Sequence, residues 1–556
     1  MSEVVSHRPE GHAFKTLLGF CAEQQWVLDT ETNGLEVRGP LAPHRAFWIG
    51  MMPLGSKHAF IITREEFEDW GLRPIVEDLS LVGHNLRFDL HALNLQPKKP
   101  WVDTLVAAYY PHTTGKHAMD HIARVHGWEK IPTPELLKRG LIHEVPEEDL
   151  IAYLSDDCIT TAKMAHKLQT ERATEDYKVE QAVYAMERRG MLLLPNKLRK
   201  VKEELDKKIV DSEGPLREAG MIGNLNSPLQ VGNWLIGMGR KLPHAKSGGP
   251  STAKIILQQL ADNGDDLAQK LLDWRRLVKL RTSFIEPLPK MVQNNILYPN
   301  TSTTRTATGR FACSTPNLQQ IPKRGPLGKA IRSCLTSRDR IGVTACDFSQ
   351  VELRVAASFA QEPVLLEAFE RGDCPHTEVA AKMLGKHPRY ITPEERFKAK
   401  AVNFGILNGM GAKRLAIELK TSKQEANIFL SDYKRNLPTL HGWMEKVWQE
   451  AETYRLARTI SGRTRIFGGY EKTRPAISVI VQGSAAELMR KALVAVEEAG
   501  LQPLPSIHDE ILIGGTGQGE ILREVMECAA NGAYTDAFAN VQFPAFAKSG
   551  ETWGDV

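Results

Sequence analysis

Three apolar runs in this chain end on carboxylates, and no feature constrains its fold more. Trp26-Val27-Leu28 runs into Asp29, and Ile341 to Cys346 runs into Asp347. Leu504 to Ile507 and Ile511 to Ile513 are joined by His508-Asp509-Glu510. Short apolar runs bounded by turn signals read as buried strands. A charged group at the end of a buried strand is costly unless an ion or a partner compensates it. The chain therefore has to fold as covered sheets whose acidic ends open onto places where cations can sit.

The first third supports this. Ala46 to Met52 and Ala59 to Ile62 continue the strand signals, and helical patterns follow at Arg64 to Trp70 and Asp89 to Leu95. This alternation favours a layered α/β sheet with covering helices. The character changes near Glu171, where a domain boundary is expected. Glu175 to Gly220 reads as long, charged and helical, broken at Gly190, and Ser251 to Leu288 is a second helical stretch rich in Lys and Arg. Pro299 to Arg310, dense in Thr and Gly, marks a loop or hairpin. Glu394 to Leu419 is helical with a basic face.

At 556 residues the chain is too long for one core and suggests two to four folding units. A charged fraction of 25% with 42% hydrophobic residues fits a soluble globular protein and excludes disordered or collagenous classes. The net charge of +4 suits a polyanionic partner without identifying one. The seven cysteines are scattered, with no C-x-x-C pair, and read as reduced, mostly buried thiols of a cytosolic protein. Met1 to Phe14 has no apolar core of a signal peptide, and no apolar run is long enough to span a bilayer. No membrane association is expected.

Asp29 and Glu31 are two apart in a strand, so they face one side and can share one hard cation. Alone, such a pair is more often two exposed charges at a loop start. Here Gly83-His84-Asn85-Leu86-Arg87-Phe88-Asp89 follows a second strand, with Asp89 expected to open a helix. Further on, Tyr153 and Asp157 lie about one helical turn apart on one face, with Asp156 as a solvated neighbour. The order D-x-E, N-x-x-x-D, Y-x-x-x-D resembles the DEDD 3′→5′ exonucleases of the proofreading type, an α/β fold of RNase H-like, DnaQ type. The resemblance implies metal binding by Asp29, Glu31, Asp89 and Asp157, with Tyr153 orienting the attacking water. Two-metal hydrolysis of a phosphodiester needs oxygen ligands converging from several segments. Asp103, in Val102-Asp103-Thr104, is read as structural.

The second constellation begins at Thr344-Ala345-Cys346-Asp347, a strand running into a helix, and ends at Ser506-Ile507-His508-Asp509-Glu510. Asp347 and Asp509 could clamp two Mg²⁺ ions roughly 3.5–4 Å apart. Between them Arg396, Lys400 and Phe404, four apart, share one helix face. Two cations and a ring on one stripe suit a triphosphate with a base stacked nearby; the alternative is a solvated basic face. These stretches resemble motifs A, B and C of family A DNA polymerases, the bacterial DNA polymerase I type. Further matches are Leu225 to Trp234, Leu272 to Leu280, Thr308-Gly309-Arg310, Pro316 to Pro322 and Gln482 to Met489.

That resemblance implies an α/β exonuclease domain at 1–172 followed by a right-hand polymerase domain at 173–556. The latter divides into a helical thumb (about 190–298), an α+β palm (about 299–372 and 440–556) and helical fingers (about 373–439). It implies template-directed DNA synthesis with proofreading, two Mg²⁺ per active site (Mn²⁺ as substitute), and primer-template DNA and dNTPs as partners. Asp347 and Asp509 would bind metal, with Glu510 beside them. Arg396 and Lys400 would hold the triphosphate, Lys400 protonating pyrophosphate. His376, Phe404 and Gln350 complete the dNTP site, and Glu352 blocks a ribose 2′-OH. Arg310, Gln482 and His508 would touch the terminal pair and primer, and Arg332 the primer terminus or a phosphate. Asn317, Gln319 and Asn408 join the DNA contacts, and Arg275 and Lys279 hold the backbone non-specifically.

Two positions depart from the family pattern: Asn408 stands where Tyr is usual, and Ser478 where Asn is usual. The early start of the exonuclease strand leaves no expected room for a 5′-nuclease domain, and the short Arg240 to Ser251 segment none for a large accessory-protein insertion. A compact, phage-like replicase working as a monomer in a bacterial cytoplasm fits this, with single-strand binding protein, helicase or primase as further partners. Three rivals share parts of the pattern. Glu352 and a proofreading domain argue against a single-subunit RNA polymerase. Intact carboxylates argue against an inactive scaffold. Motifs A and C argue against an exonuclease alone.

Overall fold

The computed structural model describes residues 5–168, 171–245, 248–507 and 509–556. They form two compact units. The first comprises Met1–Gly190, Tyr298–Thr315 and Thr344–Ser549; the second comprises Met191–Leu297, Pro316–Val343 and Gly550–Val556.

The first unit contains a six-stranded mixed sheet. Its strands are β1 (Val5–His7), β2 (Gln25–Thr32), β3 (Ala46–Pro53), β4 (His58–Thr63), β5 (Ser80–Gly83) and β6 (Val102–Asp103), in the order β1-β4-β3-β2-β5-β6. The centre is antiparallel, β2 against β3 and β3 against β4, while β5 runs parallel to β2. Alternation along β2 decides what each face buries. Trp26 and Leu28 enter a core with Phe14, Leu18, Ile49 and Met51. Val27 points the other way, into a cluster with Met52, Ile61, Leu154 and Cys158. The latter two belong to the helix Glu147–Leu168, so that helix covers the face on which Asp29 and Glu31 follow Val27.

Close approach of helix and sheet depends on Gly50, the residue paired with Asp29 across β2 and β3. A Cβ there would stand 2.8 Å from Cys158 Sγ and 2.9 Å from Leu154 Cγ, inside van der Waals contact.

The same unit holds a four-stranded sheet in the order Pro503–Ile507, Glu510–Gly514, Val343–Phe348, Ala545–Gly550. The helices Val351–Ala360 and Ala476–Glu498 pack together within its core. The polar stretch after Tyr298 forms an antiparallel hairpin, Asn300–Ser302 with Ala312–Ser314. Helix Glu171–Arg189 is charged yet deeply packed. Its buried Asp176 bonds Arg463 and Arg490 at 2.9 Å each, Glu180 meets Arg87 at 3.1 Å, and Glu187 meets His91 at 2.9 Å.

The second unit is built on Pro195–Glu218, a helix opened by Pro. It buries Leu198, Val201, Leu205 and Ile209, spaced three or four apart, as one stripe. It packs on Asp266–Leu280, which packs on Lys254–Asp262. The expected break at Gly190 is a strand, Met191–Leu193, in a four-stranded sheet with Leu335–Thr336, Ile296–Leu297 and Val292–Gln293.

The expected helix Glu394 to Leu419 is two helices, Pro393–Leu407 and Ala412–Leu419. The break falls at Asn408-Gly409, where Gly409 takes φ 68°, a conformation costly for other residues. Asp89 does not open its helix: Leu86–Leu93 begins three residues earlier. Among the described residues no helix is long and apolar enough to cross a membrane, and none of the seven cysteines is in a disulfide.

Candidate active sites

Two acidic sites lie in the first unit. In the first, one carboxylate oxygen each from Asp29, Glu31 and Asp157 falls within 4.8 Å of the others, the one such group of three among the described residues. Asp29 and Glu31 come from β2; Asp157 comes from the covering helix, one turn after Tyr153. Asp89 adjoins them from Leu86–Leu93, fixed by the Thr30 hydroxyl, which donates to its Oδ1 at 2.6 Å.

Electrostatics follow from burial. Desolvation, then Asp89 and Asp157, push the Asp29 carboxyl well above the ordinary carboxylate range. Burial pushes Glu31 and Asp89 each up to about 8, and Asp157 to about 6. Four acids so close cannot all stay ionised without added positive charge. All-oxygen donors from several chain segments fit hard divalent cations such as Mg²⁺ or Mn²⁺.

Sequence reasoning missed Lys130. Its Nζ stands 2.6 Å from Asp157 Oδ1 and 3.3 Å from Asp120 Oδ1, with 6% of the side chain exposed. It also lies over the Tyr153 ring, 4.8 Å from the centroid. Asp156 is not merely solvated. It accepts from the Ile131 amide at 2.8 Å, and Thr133 Oγ1 meets Tyr153 OH at 3.1 Å, so the Lys130 loop is fastened to this helix. Asp103 caps Thr104–Tyr109, accepting from Leu105 N and Asn85 N, and burial raises it to about 7.

The second site is more open. Asp347 lies on Val343–Phe348, and Asp509 opens the neighbouring strand, its carbonyl accepting from Phe348 N at 3.4 Å. The Asp509 side chain is 37% exposed, whereas Glu510 is buried. Arg310 is hydrogen-bonded to Glu352, on Val351–Ala360, and reaches to 3.9 Å from Asp509. Burial raises the Glu352 carboxyl, and Arg310 opposes that rise. Gln350 sits at φ 53° just before this helix, its Oε1 buried without a partner.

On Pro393–Leu407, Lys400 Nζ lies 5.8 Å from the Phe404 ring, and the His376 ring lies 5.6 Å from it. Arg396, one turn before Lys400, donates to Cys374 Sγ at 3.2 Å. His376 is buried and paired with Asn403 at 2.9 Å. Burial, then Lys400 and Arg396, lower it to about 4, so it is a neutral imidazole. Asn408 ends the helix. Its amide donates to Phe404 O at 2.8 Å and its Oδ1 accepts from Gln482, while Ser478 donates to Leu407 O at 3.3 Å. The two departures from the family pattern therefore meet the same helix end.

The second unit carries Arg275, Lys279, Asn317, Gln319 and Arg332. Arg332 is buried, donates to Ile321 O at 3.1 Å and lies 4.1 Å from the Trp553 ring, contacts that brace the fold. Arg275 donates to Thr252 O at 2.7 Å and Thr252 Oγ1 at 3.2 Å, fastening the segment before Lys254–Asp262. Lys279 is exposed, Asn317 and Gln319 are half-buried, and His508 lies outside the described residues.

The DNA polymerase family A model matches residues 195–555, and a 3′-5′ exonuclease model matches residues 23–172. DNA polymerase I, thermostable, of Thermus filiformis is 33% identical over 433 residues, covering 74% of this chain and 50% of that protein. DNA polymerase I of Borreliella burgdorferi is 29% identical over 569 residues, covering 95% of this chain and 62% of that protein. The chain thus spans about half the length of the curated relatives it matches. A solved POL domain of Pol1 from M. smegmatis, in complex with DNA primer-template and dNTP, superposes with a TM-score of 0.83 at 21% identity, covering 99% of both chains.

Proposed function

The chain belongs to DNA polymerase family A, and from that premise we propose that it is a template-directed DNA polymerase that proofreads with its own 3′→5′ exonuclease. The observation that carries the reading is the presence of two separate carboxylate sites. One is a buried cluster within the 3′-5′ exonuclease match; the other lies on adjacent strands within the polymerase match. Primer-template DNA and dNTPs are the proposed partners, Mg²⁺ the proposed metal, and 1–172 and 173–556 the proposed division of labour.

Divalent cations held by Asp29, Glu31, Asp89 and Asp157, and by Asp347 and Asp509, supply nucleophile activation and charge neutralisation when bound. The chain's own groups do the rest. Tyr153, held by Thr133 and capped by Lys130, orients a water at the exonuclease site. Lys400 and Arg396 present positive charge to a triphosphate, and Lys400 can pass a proton to departing pyrophosphate. Neutral His376 offers a hydrogen bond rather than a charge. Glu352, steered by Arg310, occupies the space of a 2′-OH.

Primer extension with labelled dNTPs and then NTPs tests the reading, alongside degradation of a single-stranded 3′ end. Extension with dNTPs alone is expected, and degradation should vanish in Asp29→Ala with Glu31→Ala while extension persists. Loss of most extension in that variant refutes the two-site assignment.

A further inference from the structure

We propose that Lys130 is a working part of the exonuclease site: a fixed cation that positions Asp157 and Tyr153 and balances the charge of the phosphodiester to be cut. The inference rests on the exonuclease reading above. Its first support is geometric. Lys130 Nζ takes one oxygen of Asp157 at 2.6 Å, and the ammonium lies against the Tyr153 ring at 4.8 Å. One contact fixes a carboxylate of the acidic cluster; the other fixes the ring whose hydroxyl would orient water. Groups that orient a metal ligand commonly change affinity or activity roughly 10–100-fold when removed.

The second support is the way the lysine is held. Asp156 binds the Ile131 amide at 2.8 Å, Thr133 binds Tyr153 OH at 3.1 Å, and Asp120 Oδ1 stands 3.3 Å from Lys130 Nζ. A surface lysine swinging into an acidic pocket needs no such fastening. Held by Asp157 and Asp120 and 6% exposed, the side chain gives up rotamer freedom for its place, so that place is part of the design of the loop.

The third support is charge. Asp29, Glu31, Asp89 and Asp157 contribute four negative charges, and two divalent cations would cancel them. A phosphodiester entering the site adds one more. Lys130 is the cation whose attraction bears on Asp29, Glu31 and Asp157 alike, and its charge opposes the one the phosphodiester adds. In a site this buried an uncompensated charge is costly.

The test uses the full chain with Asp347→Ala, which weakens metal binding at the polymerase site. Lys130→Met keeps length and removes charge; Lys130→Arg keeps charge. Release of 3′ nucleotides from a single-stranded oligonucleotide and Mn²⁺ binding followed by electron paramagnetic resonance are measured together with thermal unfolding. Lys130→Met should lower kcat for nucleotide release roughly 10–100-fold with little change in KM. It should leave Mn²⁺ binding as tight or tighter, because a cation beside the cluster is gone, and leave Tm in the presence of Mn²⁺ in place, and Lys130→Arg should recover most of the rate. Nucleotide release in Lys130→Met within twofold of the parent, or no recovery of the rate in Lys130→Arg, overturns the proposal. If the parent itself releases no nucleotides, the exonuclease reading fails instead.

Discussion

The two acidic sites of this chain are built on opposite plans. The exonuclease carboxylates are buried or half-buried, drawn from a strand and two helices, and two are clasped, Asp89 by Thr30 and Asp157 by Lys130. At the polymerase site Asp509 is more than a third exposed, and Arg310, expected to meet the primer, is instead engaged with Glu352. One site stands assembled in the free chain. The other keeps groups on hand that, in the proposed reaction, DNA and nucleotide would redirect. A hydrolytic site that acts on any frayed end gains from rigid preorganisation; a synthetic site that must test each incoming pair gains from being completed by the right substrate.

The largest effect should come from the open site. Asp347→Ala removes a proposed metal ligand, and several kcal/mol of transition-state stabilisation corresponds to roughly a thousandfold loss of extension. Nucleotide release from single strands should stay unchanged. Loss of both activities would mean the sites are not independent.

Next, Gly50→Val probes the assembled site without touching a carboxylate. The first added carbon alone would strike Cys158 and Leu154, pushing the helix that carries Tyr153 and Asp157 away from β2. Overpacking of this kind costs roughly 1–3 kcal/mol, and misplacement by about 1 Å can cost roughly a hundredfold in rate. Exonuclease activity should fall tenfold or more while extension holds. Equal activity would show that the assembled site tolerates the looseness of the open one. Glu352→Ala is the matching probe at the open site: it should admit ribonucleotides and release Arg310. Unchanged NTP/dNTP discrimination would remove Glu352 from the sugar pocket.

How far these plans could be read from the sequence follows from range. Asp29 and Glu31 were legible because a period of two puts them on one face, and Tyr153 with Asp157 because a period near four does the same. The strands at 46–52 and 59–62 and the hairpin after Tyr298 followed local signals, whereas strand order rests on distant pairings that no local signal carries. Lys130 was invisible, since its tie to Asp157 spans 27 positions and a lone lysine in a polar loop carries no pattern. The internal contacts of Arg332 and Arg275 were equally hidden, because a basic residue looks alike in sequence whether or not it meets a carbonyl and an indole within the fold. Asp176, Glu180 and Glu187 read only as part of a charged helix, and their burial was hidden because their arginine partners arrive from distant segments. The break at Asn408-Gly409 was hidden by apolar spacing that continues on both sides of it.

A smaller, graded effect separates the sites by pH. Folded-state values near 8 for Glu31 and Asp89, and near 6 for Asp157, lie above those of the unfolded chain. The metal-free fold therefore binds more protons than the unfolded chain. Its stability from these groups is complete below about pH 4 and falls as pH rises through 8. Metal binds the ionised forms, so the rise in Tm on adding Mg²⁺ should grow between pH 5 and pH 8, with proton release. Thermal unfolding with EDTA or Mg²⁺ measures it, and Asp29→Asn with Glu31→Gln should flatten most of the dependence. A slope that survives those substitutions would place its origin outside the assembled site.

The smallest effect is expected at Asn408. A Tyr at this helix end offers a flat ring on which a template base can rest, a surface worth roughly 1–3 kcal/mol per base on single-strand platforms. Asn408 offers an amide already in use: it donates to Phe404 O and accepts from Gln482, while Ser478 secures Leu407 O beside it. The helix end is thus closed by hydrogen bonds to Ala476–Glu498 rather than by a ring, Gln482 serving Asn408 and Ser478 serving Leu407. Asn408→Tyr alone breaks the Gln482 bond without restoring a partner at Ser478, so it should slow extension by a fewfold. Asn408→Tyr with Ser478→Asn restores the usual family pair and should recover the rate. Misincorporation and modified-dNTP kinetics of the two variants, in the Asp29→Ala, Glu31→Ala background, decide whether the pair also governs base choice. Equal selectivity in parent and double variant would make positions 408 and 478 an exchange of one helix closure for another. A double variant that rejects mismatches or modified bases more strictly would show that the open site owes part of its tolerance to the missing ring.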